Sequence, residues 1–347
     1  MLMQHIMKYI LVIIFVIFIT KISCSKDLFE TSFYKVEFIS NDIENEKINK
    51  INEIKQHSIL KVFQKTLNYE NLNLIKKDLS IDTINTFIKN IIINDEKIIN
   101  DKYFSNIKIN FDKKKIIDFY RNLKIPYVEY YPKKFLLIIY EDDGINKNLL
   151  SINNKFYFYL KNHVKNFELF KIPNLDINDR FLLKKDDILN NDFKKINEFA
   201  NKYKINEIII TKIKRKEDKS KYEIILSSNG QIFKKNLTFD RNDIETFFEI
   251  LNEEVLNVWK KINQIQNNFL HNITCNIKYY NFYELKELRK SLYKISTINN
   301  INIQSISYKN VKYRIYYYGN LKILKNLFNY NNLKFNNSNN LCTISLK

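Results

Sequence analysis

Glu141, Asp142 and Asp143 follow directly on an unbroken apolar run, Phe135 to Tyr140. Three carboxylates at the carboxyl end of a buried strand stand where open α/β sheets place ligands, so a hard-cation or general-base site of a hydrolase is conceivable there. The plainer account is a turn at Asp143-Gly144, with acidic residues as solvated punctuation and no His or Lys partner at a useful spacing. His271, Cys275 and Cys342 form the nearest thing to a metal set, but structural zinc wants four closely spaced ligands and these three are scattered. His57 and His163 fall on predicted helices without a nearby nucleophile, which disfavours a Ser-His-Asp arrangement. With three Gly and four His in 347 residues, a dinucleotide fingerprint, a phosphate-cradling loop and a Cys-rich zinc scaffold cannot be written. The chain is therefore expected to be no enzyme, and no cofactor is implied.

The last third of the chain offers a different chemistry. Lys278 and Tyr280, then Lys312, Arg314, Tyr316 and Tyr318, alternate along two segments that read as strands, which places them together on one sheet face. Basic and aromatic side chains on central strands resemble the platform on which RNA-recognition sheets stack bases. The Gly- and Phe-rich central-strand signature of such sheets is absent, and an outer face half covered by a neighbouring unit would carry the same residues, so no nucleic acid is expected as a partner. The whole chain has 57 Lys and Arg against 38 Asp and Glu. A surplus of that size attracts polyanions, nucleic acid or anionic membrane alike, and also describes a lysine coat with no partner.

The elements that must position these groups are legible from periodicity. Phe33 to Phe38 reads as an opening strand, and Ile54, Ile59, Val62, Phe63 and Leu67 fall at helical spacing. Leu72 to Ile92 predicts one or two more amphipathic helices. Lys108 to Phe111 is a short strand, and Asp112 caps a helix whose buried stripe is Ile116, Phe119, Tyr120 and Leu123. Phe135 to Tyr140 and Ile205 to Ile213 predict strands buried on both faces, with helices over Lys155 to Val164 and Phe193 to Lys202 and a strand over Phe167 to Ile172. Asn229-Gly230 predicts a hairpin turn, and Asp243 opens a long helix running through Val258 and Ile262 with the lone Trp259 at its packed border. From residue 269 the order is strand, helix, strand, strand, helix, strand, the ferredoxin-like βαββαβ pattern.

The fold expectation is thus mixed α/β and α+β. A leader occupies 1–25, an α+β unit 26–131, a central α/β unit with a long terminal helix 132–268, and a ferredoxin-like unit 269–347. Tyr9 to Thr20 is uncharged, too short to span a bilayer, and has the length of a secretory h-region behind Lys8. Ser23 and Ser25 place cleavage between Ser25 and Lys26, leaving an exported, periplasmic protein without a transmembrane helix.

Phe33 to Phe38, the helix around Leu60 to Leu67, Ile107 to Asp112, Ile125-Pro126 and Lys133 to Ile139 recur in this order, followed by Phe193 to Ile213. Together they resemble the secreted bacterial domain-of-unknown-function 2066 family over most of residues 30–260. The resemblance implies an exported envelope protein working through an envelope partner or an anionic surface, and carries over no catalytic residue.

Cys275 and Cys342 both alternate onto the inward face of their strands. In a ferredoxin-like sheet the last strand lies beside the first and antiparallel to it, and each cysteine is near the start of its strand. An offset of about three residues at ~3.3 Å each separates them by about 10 Å, beyond the ~7 Å reach of a disulfide. Two separate thiols are the expectation.

Overall fold

A computed structural model describes residues 28–347 apart from 78, 133, 164–166, 216–218, 229, 241–243 and 339–340. The leader and its cleavage position at Ser25 and Lys26 lie outside the described residues. Nearest the amino terminus, β1 (Tyr34–Ile39) is followed by α1 (Ile43–Thr66), α2 (Tyr69–Lys76), α3 (Ile81–Phe87), β2 (Ile88–Ile99), β3 (Lys102–Phe111) and α4 (Lys113–Asn122). The three strands form an antiparallel sheet in the order β1-β3-β2. On β3 every second residue, from Tyr103 to Phe111, is buried, so one face of the sheet packs on helices. The helices supply Ile59, Val62 and Phe63 from α1 and Ile116 and Tyr120 from α4. Asp112 caps α4 as expected, accepting the backbone N–H of Lys114 and Lys115.

Two expectations fail in this unit. The helical reading of Leu72 to Ile92 holds only to Phe87, because the Ile-rich stretch from Ile88 pairs with β3 along nearly its whole length. Branched side chains suit that paired surface better than another helical turn. Leu123, expected on the buried stripe of α4, is 48% exposed. The chain leaves the helix there through Lys124 at φ +54°.

The central unit comprises β4 (Phe135–Asp142), β5 (Lys147–Leu149), α5 (Lys155–Asn162), β6 (Phe170–Lys171), α6 (Ile177–Leu182), α7 (Lys185–Leu189), α8 (Phe193–Lys202), β7 (Glu207–Arg215), β8 (Lys219–Ser228), β9 (Gln231–Asp240) and α9 (Ile244–Asn263). Its sheet runs β5-β4-β7-β8-β9, parallel between β4 and β7 and antiparallel elsewhere on that path, with β6 added in parallel to β4. The predicted strand at Phe167 to Ile172 shrinks to these two residues. Every residue from Phe135 to Glu141 is buried, as an apolar run covered on both faces requires. Phe156 on α5, Tyr222 on β8 and Phe247 on α9 pack ring against ring on one side. The β8–β9 hairpin turns at Gly230, whose φ of +74° a residue with a side chain rarely adopts.

The third unit contains β10 (Leu270–Lys278), α10 (Phe282–Tyr293), β11 (Ile298–Ser307), β12 (Asn310–Tyr318), α11 (Leu321–Tyr330), β13 (Leu333–Ser338) and β14 (Leu341–Leu346). Its sheet order is β11-β12-β10-β14-β13. The pattern is therefore βαββαβ with one strand more. β13 emerges from α11 in the direction a ferredoxin-like fourth strand would take, then reverses into β14, which inserts beside β10 and runs parallel to it. That reversal overturns the expected separation of the cysteines: Cys275 and Cys342 are direct register partners, 4.4 Å apart at Cα, and form a disulfide.

The units are held by specific contacts. Lys260 on α9 donates to the carbonyl of Gln64 in the last turn of α1, where helical carbonyls lack partners, and burial pushes its ammonium pKa down to about 8. Asn257 accepts the N–H of Tyr69, and Lys261 pairs with Glu70 at 2.7 Å. Among the described residues no helix is long and apolar enough to cross a membrane.

Candidate polyanion-binding surface

On β10 and β12 buried and outward residues alternate. Cys275, Ile277, Val311, Tyr313, Ile315 and Tyr317 point into the core, where burial pushes the Tyr313 pKa up and the charge of Arg289 on α10 opposes it. The helices therefore cover this face, and the opposite face carries Lys278, Lys312, Arg314, Tyr316 and Tyr318 as expected. Lys278, Lys312 and Arg314 are exposed, and Tyr316 and Tyr318 are half-buried. Cross-strand partners on the same face are uncharged: Asn276 and Ser305 flank Lys312, and Thr274 and Asn302 flank Arg314. Lys334 on β13 adds a further exposed cation.

The two ends of this face differ. Tyr318 carries the guanidinium of Arg121 from α4, 4.8 Å above its ring, so the amino-terminal unit covers that end. The end at Lys278 and Lys312 is open. Tyr280 lies beyond β10, off the strand face, and is 82% exposed. The outward positions of β10 from Asn272 on are Asn272, Thr274, Asn276 and Lys278, with no ring among them. A base-stacking platform on both central strands is therefore incomplete.

Charge concentrates in this unit to a degree the whole-chain figure conceals. Residues 269–347 contain twelve Lys or Arg against two Glu and no Asp, a surplus of ten out of the chain's nineteen. Both carboxylates sit on α10, where Glu284 accepts the N–H of Tyr280 at 2.7 Å and Glu287 lies 3.9 Å from Lys290. The open sheet face carries none.

The carboxylates at the end of β4 do something else. Glu141 is buried, ion-paired with Arg215, and accepts a hydrogen bond from Asn154 Nδ2 at 2.9 Å. Burial pushes its pKa up, with Arg215 opposing. Asp142 accepts the N–H of Gly144, and Asp143 accepts those of Ile145 and Asn146, which hold its pKa down. The bonds of Asp142 and Asp143 are turn-forming and fall on Oδ1 of each.

Two further buried carboxylates escaped the sequence reading because their partners are remote in the chain. Asp179 is fully buried and accepts from Leu175 N, from Lys202 Nζ at 2.6 Å and from the Tyr203 hydroxyl. Glu129 accepts from Lys113 Nζ at 2.6 Å, from Ser296 N at 3.0 Å and from Ser296 Oγ at 2.6 Å, while Arg121 donates to the Ser296 carbonyl. The first ties α6 to α8, and the second ties the amino-terminal unit to the carboxyl-terminal one. Both are fully engaged, which is the condition under which buried charge is tolerated. His57 packs against Tyr34 and His163 stacks on Tyr159.

The chain matches no family profile, no curated protein and no solved structure.

Proposed function

We propose that this is a non-catalytic, exported binding protein whose carboxyl-terminal unit holds a polyanion on its open sheet face. The observation that carries the reading is the surplus of ten positive charges in 269–347 together with a carboxylate-free face bearing Lys278, Lys312, Arg314 and Lys334. Cations scattered as a solubilising coat would be interleaved with carboxylates, as they are in the rest of the chain. Here they add, and long-range attraction to a polyanion grows with the sum. Export is part of the proposal. The uncharged segment Tyr9 to Thr20 suggests it, the resemblance to the domain-of-unknown-function 2066 family agrees with it, and the Cys275–Cys342 disulfide suits an oxidising compartment.

The test uses single-stranded RNA as a soluble polyanion. The full chain is expected to bind it with an affinity that falls linearly in log-log coordinates as salt rises. Reversing Lys312→Glu and Arg314→Glu together should reduce the magnitude of the salt slope by roughly 1.4, two contacts at about 0.7 each on a single strand. No binding at low ionic strength, or binding indifferent to the double reversal, overturns the reading.

A further inference from the structure

The end of the carboxyl-terminal sheet at Lys278 and Lys312 has an unusual rim. Lys278 pairs with Asn310, and one step further Tyr279 N donates to the Lys309 carbonyl at 3.1 Å. Tyr280 follows at this end of β10, and Tyr308 precedes Lys309 at the tip of the β11–β12 hairpin. Phe282 and Tyr283 follow at the start of α10. These four rings are 82%, 87%, 81% and 74% exposed in the order Tyr280, Tyr308, Phe282, Tyr283. The element order places all four at the same end of one sheet, and Ile306, near that end of β11, is 66% exposed. Single exposed apolar residues are ordinary, but a cluster of this kind marks a surface that meets something.

The rim is fixed in place. The N–H of Tyr280 is held by Glu284, Asn281 caps α10 through the N–H of Glu284, and the ring of Tyr279 anchors the loop against the core 6.2 Å from Phe282. Cations surround it: Lys309 Nζ lies 5.2 Å over the ring of Tyr308, with Lys278 and Lys312 behind. Glu284, the nearest carboxylate on α10, is taken up by its backbone partner.

We propose that this rim docks on a bilayer surface containing anionic lipid, the four rings entering the headgroup region and the cations of the open face meeting lipid phosphates. This deepens the polyanion reading and rests on it. Tyr and Phe beside Lys are the side chains that settle at a membrane interface, the ring in the apolar boundary and the ammonium reaching back to phosphate. Rings for stacking nucleotides would instead lie flat on the strand face, and on β10 that face carries Asn272, Thr274, Asn276 and Lys278, with no ring among them.

Sedimentation of the full chain with vesicles of phosphatidylglycerol and phosphatidylcholine tests this, against vesicles of phosphatidylcholine alone. Binding is expected to the first and not the second. Replacing Tyr280, Phe282, Tyr283 and Tyr308 together by Ser should weaken vesicle binding at least roughly tenfold while single-stranded RNA affinity stays within about twofold. A second readout does not depend on the fourfold variant folding: Trp259 is buried, so in Tyr308→Trp an added blue shift on vesicles, quenched by brominated lipid, reports insertion of the rim. RNA binding without vesicle binding overturns the membrane inference and leaves the polyanion reading standing. Undiminished vesicle binding by the fourfold variant, or an unshifted Tyr308→Trp spectrum, overturns the role of the rim. Binding to neither RNA nor vesicles overturns both.

Discussion

Cys275 and Cys342 face each other across neighbouring parallel strands, bonded, 67 positions apart in the chain. The link joins β10 at the centre of the third sheet to β14, which reaches that place only by reversing out of β13. It thus fastens the strand whose position departs from the simpler ferredoxin-like order.

A peptide map of the unreduced protein should contain one cross-linked fragment pair holding Cys275 and Cys342, and lose it on reduction. On chain-entropy grounds a loop of this length stabilises by about 4 kcal/mol, so Cys275→Ala with Cys342→Ala should lower the unfolding free energy by roughly that amount. Free thiols at both positions in unreduced material would remove the assigned β10–β14 register.

Glu129 has its carboxylate buried between two units and three donors aimed at it. Glu129→Ala leaves the Ser296 donors and the Lys113 ammonium without it. Because Lys113 is 35% exposed and regains water, the loss should be about 3 kcal/mol, below the upper range for a buried pair. Cleavage by protease between residues 264 and 269 should accelerate in parallel. Equal cleavage rates in parent and variant would show that the contact does not hold the units together.

Glu207 at the start of β7 has its pKa pushed up by burial, with Ser228 and Trp259 opposing. In the folded state it therefore holds its proton to higher pH than in the unfolded chain. The native state binds more protons between the unfolded value near 4.3 and the raised folded one, so this group's contribution falls as pH rises through that window and stays reduced above it. Glu207→Gln should be more stable than the parent at pH 7 to 8, with the advantage shrinking toward pH 4. Urea midpoints measured across that range would settle it, and parallel curves for the two proteins would exclude the effect.

The apolar run Phe135 to Tyr140, the alternation along β12 and the cap at Asp112 could be read directly, because each depends on the spacing of neighbours within one element. So could the placing of Lys312, Arg314 and Tyr316 on one face, since a strand's period of two fixes the face wherever one side is buried. What lay beyond the sequence were the features set by pairing across the chain. Ile88 to Ile92 fits a helix until β3 offers a partner, and β14 fits an antiparallel fourth strand until β13 takes that direction first. From that reversal follows the contact between Cys275 and Cys342. The open and closed ends of the basic face were equally out of reach, because Arg121 covers Tyr318 from another unit while Tyr280 and Tyr308 stay exposed. Local spacing is set by covalent neighbours and registers in any window of the chain. Register, strand order and burial between units are set by which distant surfaces exclude water together, and only the assembled chain contains that information.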